Sequence, residues 1–420
     1  MTGPLWHALP DGWPTGQVKN AASVTLGKML QSKDSGSDVR APYMRAANVQ
    51  PNGVLALDDM KEMWFGDDEL EQLSIRAGDV VVVEGGQGGY GRAAYVDQDL
   101  LGWGFQNSIN RLRPGSDFDG RFIAFYLIAL RASGFIHAYS NVVSMPHLTA
   151  EKLSRIPMPL PSLEEQRSIA DYLDHETTRI DTLIEEQQRL IEMLRERRLA
   201  TVEEAVSIVA TSGARLKHVI RSVRQGWSPQ CCAWPADGVE TWAVLKAGAA
   251  NGGRFRPMEN KELPDDQVPR PDIVVTRGDL IVSRANTREL VGSAAVVEGD
   301  FPRLMLCDKL YAFSLDERRA DPRFVAAVLG SRRWRDLIEL EATGASHSML
   351  NISQSDIVNL PMTLPPTNEQ RRIVAHLDNE TAKINQLKAE TERFIELARE
   401  RRSTLICAAV TGNIDVRETT

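Results

Sequence analysis

Apolar residues recur every three to four positions over two long stretches of the chain. In residues 157–206 the series Ile169, Leu173, Ile180, Leu183, Leu190 and Leu194 fits positions a and d of a heptad that takes Leu173 as a. That is the spacing a helix needs to bury one stripe against another helix. Residues 361–410 repeat the series 204 residues later as Ile373, Leu377, Ile384, Leu387, Phe394 and Ala398, and 24 of 50 positions are identical between the two stretches. Both copies interrupt the stripe at the same places, with Glu176 and Glu380 at d and Gln187 and Thr391 at a. Polar residues there fix register at a cost in stability. Each start is marked as well: Pro159 and Pro161 precede Ser162-x-x-Glu165, and Pro365 and Pro366 precede Thr367-x-x-Gln370, both with capping-box spacing. About 45 residues rising ~1.5 Å each predict helices of roughly 65 to 70 Å. Neither buries its stripe alone. A rod that only joined two chains would have no need to occur twice in one, so the two are expected to clasp each other.

Ahead of each helix the period shortens to that of strands. Arg76-Ala77-Gly78-Asp79 leads into Val80–Val83, a turn followed by four β-branched residues and hence a buried strand. The segment Gly85–Arg92 contains the spacing G-x-G-x-x-G at Gly86, Gly88 and Gly91. A dinucleotide site needs a helix to begin at those glycines, whereas AAYVDQDLLGWGF has strand and turn chemistry, so a mobile hairpin loop is the reading. A short apolar helix follows over 119–131. From about residue 211 the landmarks return in order: TWAVLKAGAANGGRF answers PYMRAANVQPNGVLA, Gly278-Asp279 leads into Leu280-Ile281-Val282, and Asp321-Pro322-Arg323-Phe324 opens a helix where Asp119-Gly120-Arg121-Phe122 did. The expected domains are 1–156, a long helix over 157–210, a second head over 211–360, and a second long helix with tail over 361–420. The fold class is α+β: two globular mixed α/β heads and two long helices packed as an antiparallel coiled coil, with a pseudo-twofold internal repeat. Outside the landmarks the heads differ freely at their loops, so they are expected to recognise two different things.

Composition removes several alternatives. The apolar runs fall short of the ~18 residues of a membrane span, the N-terminus has no signal-peptide pattern, and Cys231, Cys232, Cys307 and Cys407 have neither zinc nor disulfide spacing. The chain reads as cytoplasmic, without membrane or metal. An N/D-P-P-Y/F motif for methylating an amino group is absent, as is a G-x-x-x-x-G-K-S/T phosphate loop. Asp265, Asp266 and Asp272 near basic residues are ordinary in a chain one quarter charged.

Tandem variable heads marked by Gly78-Asp79 and Gly278-Asp279 precede Pro161 with Glu165-Gln166 and Pro366 with Glu369-Gln370. The basic runs Arg195-Glu196-Arg197-Arg198 and Arg399-Glu400-Arg401-Arg402 follow, and the tail is Thr411-Gly412-Asn413-Ile414-Asp415. Together these resemble the DNA-specificity subunit of type I restriction-modification systems, over essentially the whole chain. The resemblance implies a subunit without catalysis of its own, serving defence against foreign DNA. Each head would read one half of a split double-stranded target while the helices set the spacer. Two methyltransferase subunits would dock along the helices, and restriction/translocase subunits would join them. Adenine-N6 methylation, S-adenosylmethionine, ATP with magnesium, and endonuclease activity would then belong to the partners, with no cofactor on this chain.

Base readout favours Arg or Lys on guanine and Asn or Gln on adenine, and loops on a rigid scaffold are where such groups belong. The candidates are Gln87, Tyr90 and Arg92 after the first Gly-Asp strand, and Arg284, Asn286 and Arg288 after the second. Two further stretches hold Asn107, Asn110, Arg111 and Arg113, and Asn251, Arg254 and Arg256; the segments before the long helices, Ser144–His147 and Ser346–Ser348, add His347. Charge runs against a free-standing binder. The net charge is −8, with 14 basic against 17 acidic residues in 1–155 and 20 against 19 in 213–360, whereas phosphate neutralisation supplies most non-specific affinity. The competing reading is a coiled-coil scaffold that organises protein partners without reading DNA; it accounts for the helices and the acidity but not for two heads that share a framework and diverge at their loops.

Overall fold

The Gly-Asp turn organises each head. In a computed structural model, which describes residues 3–86, 89–140, 147–207, 213–346, 349–362 and 364–416, Gly78 takes φ +93° and Gly278 φ +90°, a left-handed conformation that glycine adopts without strain. The chain then enters a strand buried on both faces. The first head has seven principal strands: β1 (Ala22–Leu26), β2 (Val39–Met44), β3 (Lys61–Phe65), β4 (Val80–Val83), β5 (Ala93–Tyr95), β6 (Gly104–Phe105) and β7 (Ile109–Pro114). They form a four-stranded sheet in the order β1-β7-β4-β5 and a three-stranded sheet in the order β3-β2-β6, with β2 and β6 parallel. Val80 and Val82 face one core with helix α1 (Gly120–Ala132), while Val81 and Val83 face a second core with Met63, Phe65 and Phe105 of the smaller sheet. Alternation along one strand thus joins two cores, and each buried valine contributes roughly 1.5–3 kcal/mol.

The first long helix, α2 (Leu163–Ser207), leads to a second head with the same topology. Its strands are β8 (Ile220–Gln225), β9 (Ala243–Leu245), β10 (Asn260–Glu262), β11 (Leu280–Ser283), β12 (Ala294–Val296), β13 (Leu304–Met305) and β14 (Leu310–Leu315), ordered β8-β14-β11-β12 and β10-β9-β13. Leu280 and Val282 face the core with α3 (Pro322–Gly330), and Ile281 faces the other. The second long helix is α4 (Thr367–Val410).

The chain divides into two units, residues 1–187 with 392–420, and residues 188–391. Each unit therefore holds one head and a segment of both long helices. In the first, Ile169 and Leu173 of α2 share a core with Ile406, Ala409 and Val410 of α4, and Asp181 pairs with Arg402. Rising numbers meet falling ones, so the segments are antiparallel. In the second, Ala205 and Val206 share a core with Ile373, Val374 and Leu377. The buried stripe differs from the heptad read in the sequence. Along α2 it runs Leu173, Thr177, Ile180, Ile184, Ile191, Leu194, and in α4 it includes Ile384, Thr391 and Ile395. Leu183, Leu387 and Phe394 stand 42%, 42% and 43% exposed, and Leu190 and Ala398 are half-buried. Apolar residues occupy both of the adjacent positions 183 and 184, 190 and 191, and 394 and 395, and the packed face is the one that takes the second of each pair. The polar Thr177 and Thr391 are tolerated in the stripe because each hydroxyl donates to the carbonyl four residues back, Leu173 at 2.6 Å and Leu387 at 2.8 Å.

The first capping box forms: the Ser162 N–H donates to Glu165 Oε2 at 3.0 Å, and the Glu165 N–H donates to Ser162 Oγ at 3.3 Å. The second does not. Gln370 aligns with Gln166, one residue later than the cap, and both glutamines are buried pins. Gln166 Oε1 accepts from the Asp119 N–H at 2.9 Å, and its amide donates to the Pro161 carbonyl at 2.8 Å. Gln370 accepts from the Asp321 N–H at 2.8 Å and donates to the Pro365 and Arg319 carbonyls at 2.8 and 2.9 Å. Since Asp119 and Asp321 are the N-caps of α1 and α3, one side chain ties the start of each long helix to the start of its head's own helix. Arg121 adds ion pairs to Asp171 and Asp174, and Arg323 one to Asp378. The tail closes α4 in the first unit: Gly412 at φ +70° allows Asn413 N–H to reach the Ala408 carbonyl at 2.8 Å, and a Cβ there would meet Pro10.

Candidate nucleic-acid interface

The loop after β4 is anchored at both ends. Gly85 bridges to His147, the Glu84 carboxylate meets His147 Nδ1 at 2.9 Å, and Leu148 N–H donates to the Glu84 carbonyl. At the far end Arg131 Nε donates to the Tyr90 carbonyl at 3.2 Å, the Tyr90 hydroxyl bonds His137 Nδ1, and Gly91 lies against Ile136. The second head repeats this with Arg335, which donates to the Val291 and Glu289 carbonyls, and with Gly292 against Ile338. Its loop also gains a strand. Ala285–Asn286 pairs with Met349–Asn351, which pairs with Thr343–Ser346. The loops are therefore tied to the framework on both sides.

Several candidate readers belong to that framework. Asn110 is fully buried, and its amide donates to the Leu148 carbonyl at 2.9 Å. Arg111 is buried over the Phe105 ring and donates to the Gln72 and Ser74 carbonyls and the Thr25 hydroxyl at 2.7 to 3.1 Å; burial pushes its guanidinium below the ordinary arginine value. Arg113 makes a two-pronged pair with the buried Asp79, both contacts at 2.8 Å. All three spend their donors inside the head: alternation on β7 places Arg111 and Arg113 under the Gly-Asp turn and Asn110 on the opposite face, against Leu148. Gln87 and His347 lie outside the described residues, as do Ser144 and Ser348.

The others stand at the surface or partly so. Arg92 and Asn107 are half-buried. Asn251 Oδ1 accepts from Asn286 Nδ2 at 3.2 Å, which brings two sequence-separated candidate stretches together. Arg254 and Arg256 are exposed on the turn that follows. Arg284 donates to the Asp308 carbonyl at 3.3 Å, and the exposed Arg288 pairs with Glu339 at 3.1 Å. The second head thus brings two candidate amides together, whereas in the first Arg111 and Arg113 are spent beneath the Gly-Asp turn.

The last arginine of each basic run has a use that its sequence did not reveal. Arg402, 6% exposed, pairs with Asp181 and donates to the Asn52 carbonyl at 3.3 Å. Arg198 donates to the Gly252 carbonyl at 3.4 Å. In both units the run on a long helix reaches the turn after the second strand of the head. The repeated offset of 204 along the long helices was the available signal, since it aligns Arg198 with Arg402; the turns they reach, at Asn52 and Gly252, lie 200 residues apart.

Among the described residues no cluster of His, Cys, Asp and Glu is arranged to hold a metal ion, and no helix is long and apolar enough to cross a membrane. Comparison with known proteins gives a consistent result. The family model for the type I restriction modification DNA specificity domain matches residues 10–193. A relative from Escherichia coli, the type I restriction enzyme EcoEI specificity subunit, is 32% identical over 178 residues, which is 42% of this chain and 30% of that protein's own length. The StySPI specificity subunit from Salmonella potsdam is 23% identical over 430 residues, covering 97% of this chain and 90% of that one. Among solved structures, a chain described in terms of complex assembly and conformational transition of the type I R-M system superposes with a TM-score of 0.72 at 19% identity, over 97% of this chain and all of the other. That likeness establishes the fold.

Proposed function

We propose that this chain, which belongs to the family of type I restriction-modification specificity subunits, reads a two-part double-stranded DNA target, one part with each head. The observation that carries the proposal is the pairing of one strand topology in both units with loops that share anchors but not sequence. Recognition in each half falls to the candidate side chains that stand at the surface or partly so. In the second head these are Asn251, Arg254, Arg256, Arg284, Asn286 and Arg288, and in the first Tyr90, Arg92 and Asn107. Chemistry on the DNA belongs to partners: methyltransferase subunits carrying S-adenosylmethionine, and restriction subunits using ATP and magnesium. The near balance of charge in each head leaves little for the phosphates, so the partners supply much of the backbone grip, and the isolated chain binds its target weakly at physiological salt.

The test exchanges residues 213–360 for the equivalent head of a relative and maps methylated adenines with the complete methyltransferase. One half of the methylated sequence changes and the other stays. A change in both halves, or in neither, refutes the reading.

A further inference from the structure

The arginine that joins each head to the long helices is strong in one unit and weak in the other. Arg402 is buried, its Nε lies 3.0 and 3.1 Å from the two carboxylate oxygens of Asp181, and its Nη2 takes the Asn52 carbonyl. The turn it holds is unusual. Asn52 has φ +65°, the one non-glycine residue at positive φ among those described, and Gly53 beyond it packs toward Ile128 on α1. A buried guanidinium with a carboxylate on one side and a carbonyl on the other is oriented by both, so the head turn is held to α4 and α2 at once. In the second unit Arg198 has the same carbonyl contact, at 3.4 Å, on a turn made of Gly252 and Gly253. The counterpart of Asp181, 204 residues on, is the exposed Asn385, an amide without charge.

We propose that Arg402, held by Asp181 and gripping the Asn52 carbonyl, is a positioning residue: it sets the tilt of the first head against its helix pair and thereby the target spacing at which that head engages. Arg198 does the same for the second head with less restraint. The inference rests on the two-part reading above. A shift of the reading loops by ~3.4 Å corresponds to one base-pair step, so a loosened head accepts neighbouring spacings before it loses its bases.

The experiment uses the full chain with its methyltransferase subunits and maps methylated adenines in a host without other adenine methylation. Wild type yields one two-part motif at one spacing. Arg402→Gln and, independently, Asp181→Asn yield the same two half-sequences with spacings one base pair longer or shorter, at a tenth or more of the wild-type extent. Arg198→Gln spreads the spacing less than Arg402→Gln does. A single unchanged spacing in folded Arg402→Gln and Asp181→Asn proteins overturns the proposal, as does loss of all methylation in both variants. Failure of wild type itself to give a two-part motif sinks the reading beneath it and is a separate result.

Discussion

The two heads solve one structural problem with arginines from different strands. Beneath the first Gly-Asp turn, Arg111 and Arg113 of β7 take the Ser74 carbonyl and the Asp79 carboxylate. Beneath the second, Arg224 of the neighbouring strand β8 takes the Val274 carbonyl, the Thr276 hydroxyl and Asp279. The ladders show why. Thr25 faces Arg111 in the first head, and Arg224 faces Ala312 in the second, so a single guanidinium on the partner strand takes the carbonyl and the carboxylate that Arg111 and Arg113 hold between them in the first head. What the repeat preserves is a cation under a carbonyl-lined turn, not a residue at an alignment column. The reading loops carry no such demand and have diverged.

The largest effect expected from this comparison follows loss of the aspartate. Asp79→Ala leaves Arg113 without its carboxylate and the Arg76 N–H without an acceptor; the first unit loses about 3 kcal/mol, the low end for a broken buried pair because Arg113 keeps part of its guanidinium in solvent. Asp279→Ala does the same to the second unit. The triple variant Arg224→Thr, Ala312→Arg and Ser314→Arg, which places arginines where Arg111 and Arg113 stand in the first head, stays within ~1 kcal/mol of wild type. Urea denaturation with hydrogen exchange followed by peptide assigns each loss to its unit. A triple variant as damaged as Asp279→Ala would show that the crossing is not a compensated exchange.

Next in size are the glutamine pins, which test what the units hold in common. Gln166→Leu and Gln370→Leu each strand a buried backbone N–H, at roughly 1–3 kcal/mol per unmatched group. The expected loss is about 2 kcal/mol in either unit, read by the same exchange measurement. A loss in one copy only would mean that the pin is not the shared joint between long helix and head.

These contacts mark where the sequence was legible. Long helices, the Gly-Asp strand and the repeat could be read because period and offset extend over tens of residues. The pins and clamps were visible only as motifs without a role, since Gln166 and Arg402 act on backbone carbonyls and N–H groups that no sequence pattern exposes. Asn110, Arg111 and Arg113 have the residue types of base readers, and only the strand's facing direction separates an arginine in a carbonyl cage from one at a groove.

The helix stripe supplies the smallest and most discriminating test, because sequence and structure differ there by one residue. Hydrophobicity alone does not choose between Leu183 and Ile184, or between Phe394 and Ile395; the choice belongs to the partner helix, which fixes the face by packing. Ile184→Ala and Ile395→Ala remove side chains buried in that stripe and cost about 1–2 kcal/mol, below the usual range for a core because the helix pair is narrow and partly wetted. Leu183→Ala and Phe394→Ala remove exposed ones and cost within ~0.5 kcal/mol. Thermal melts of the four single variants decide the face, and equal losses at 183 and 184 would place the contact between the two rather than on Ile184.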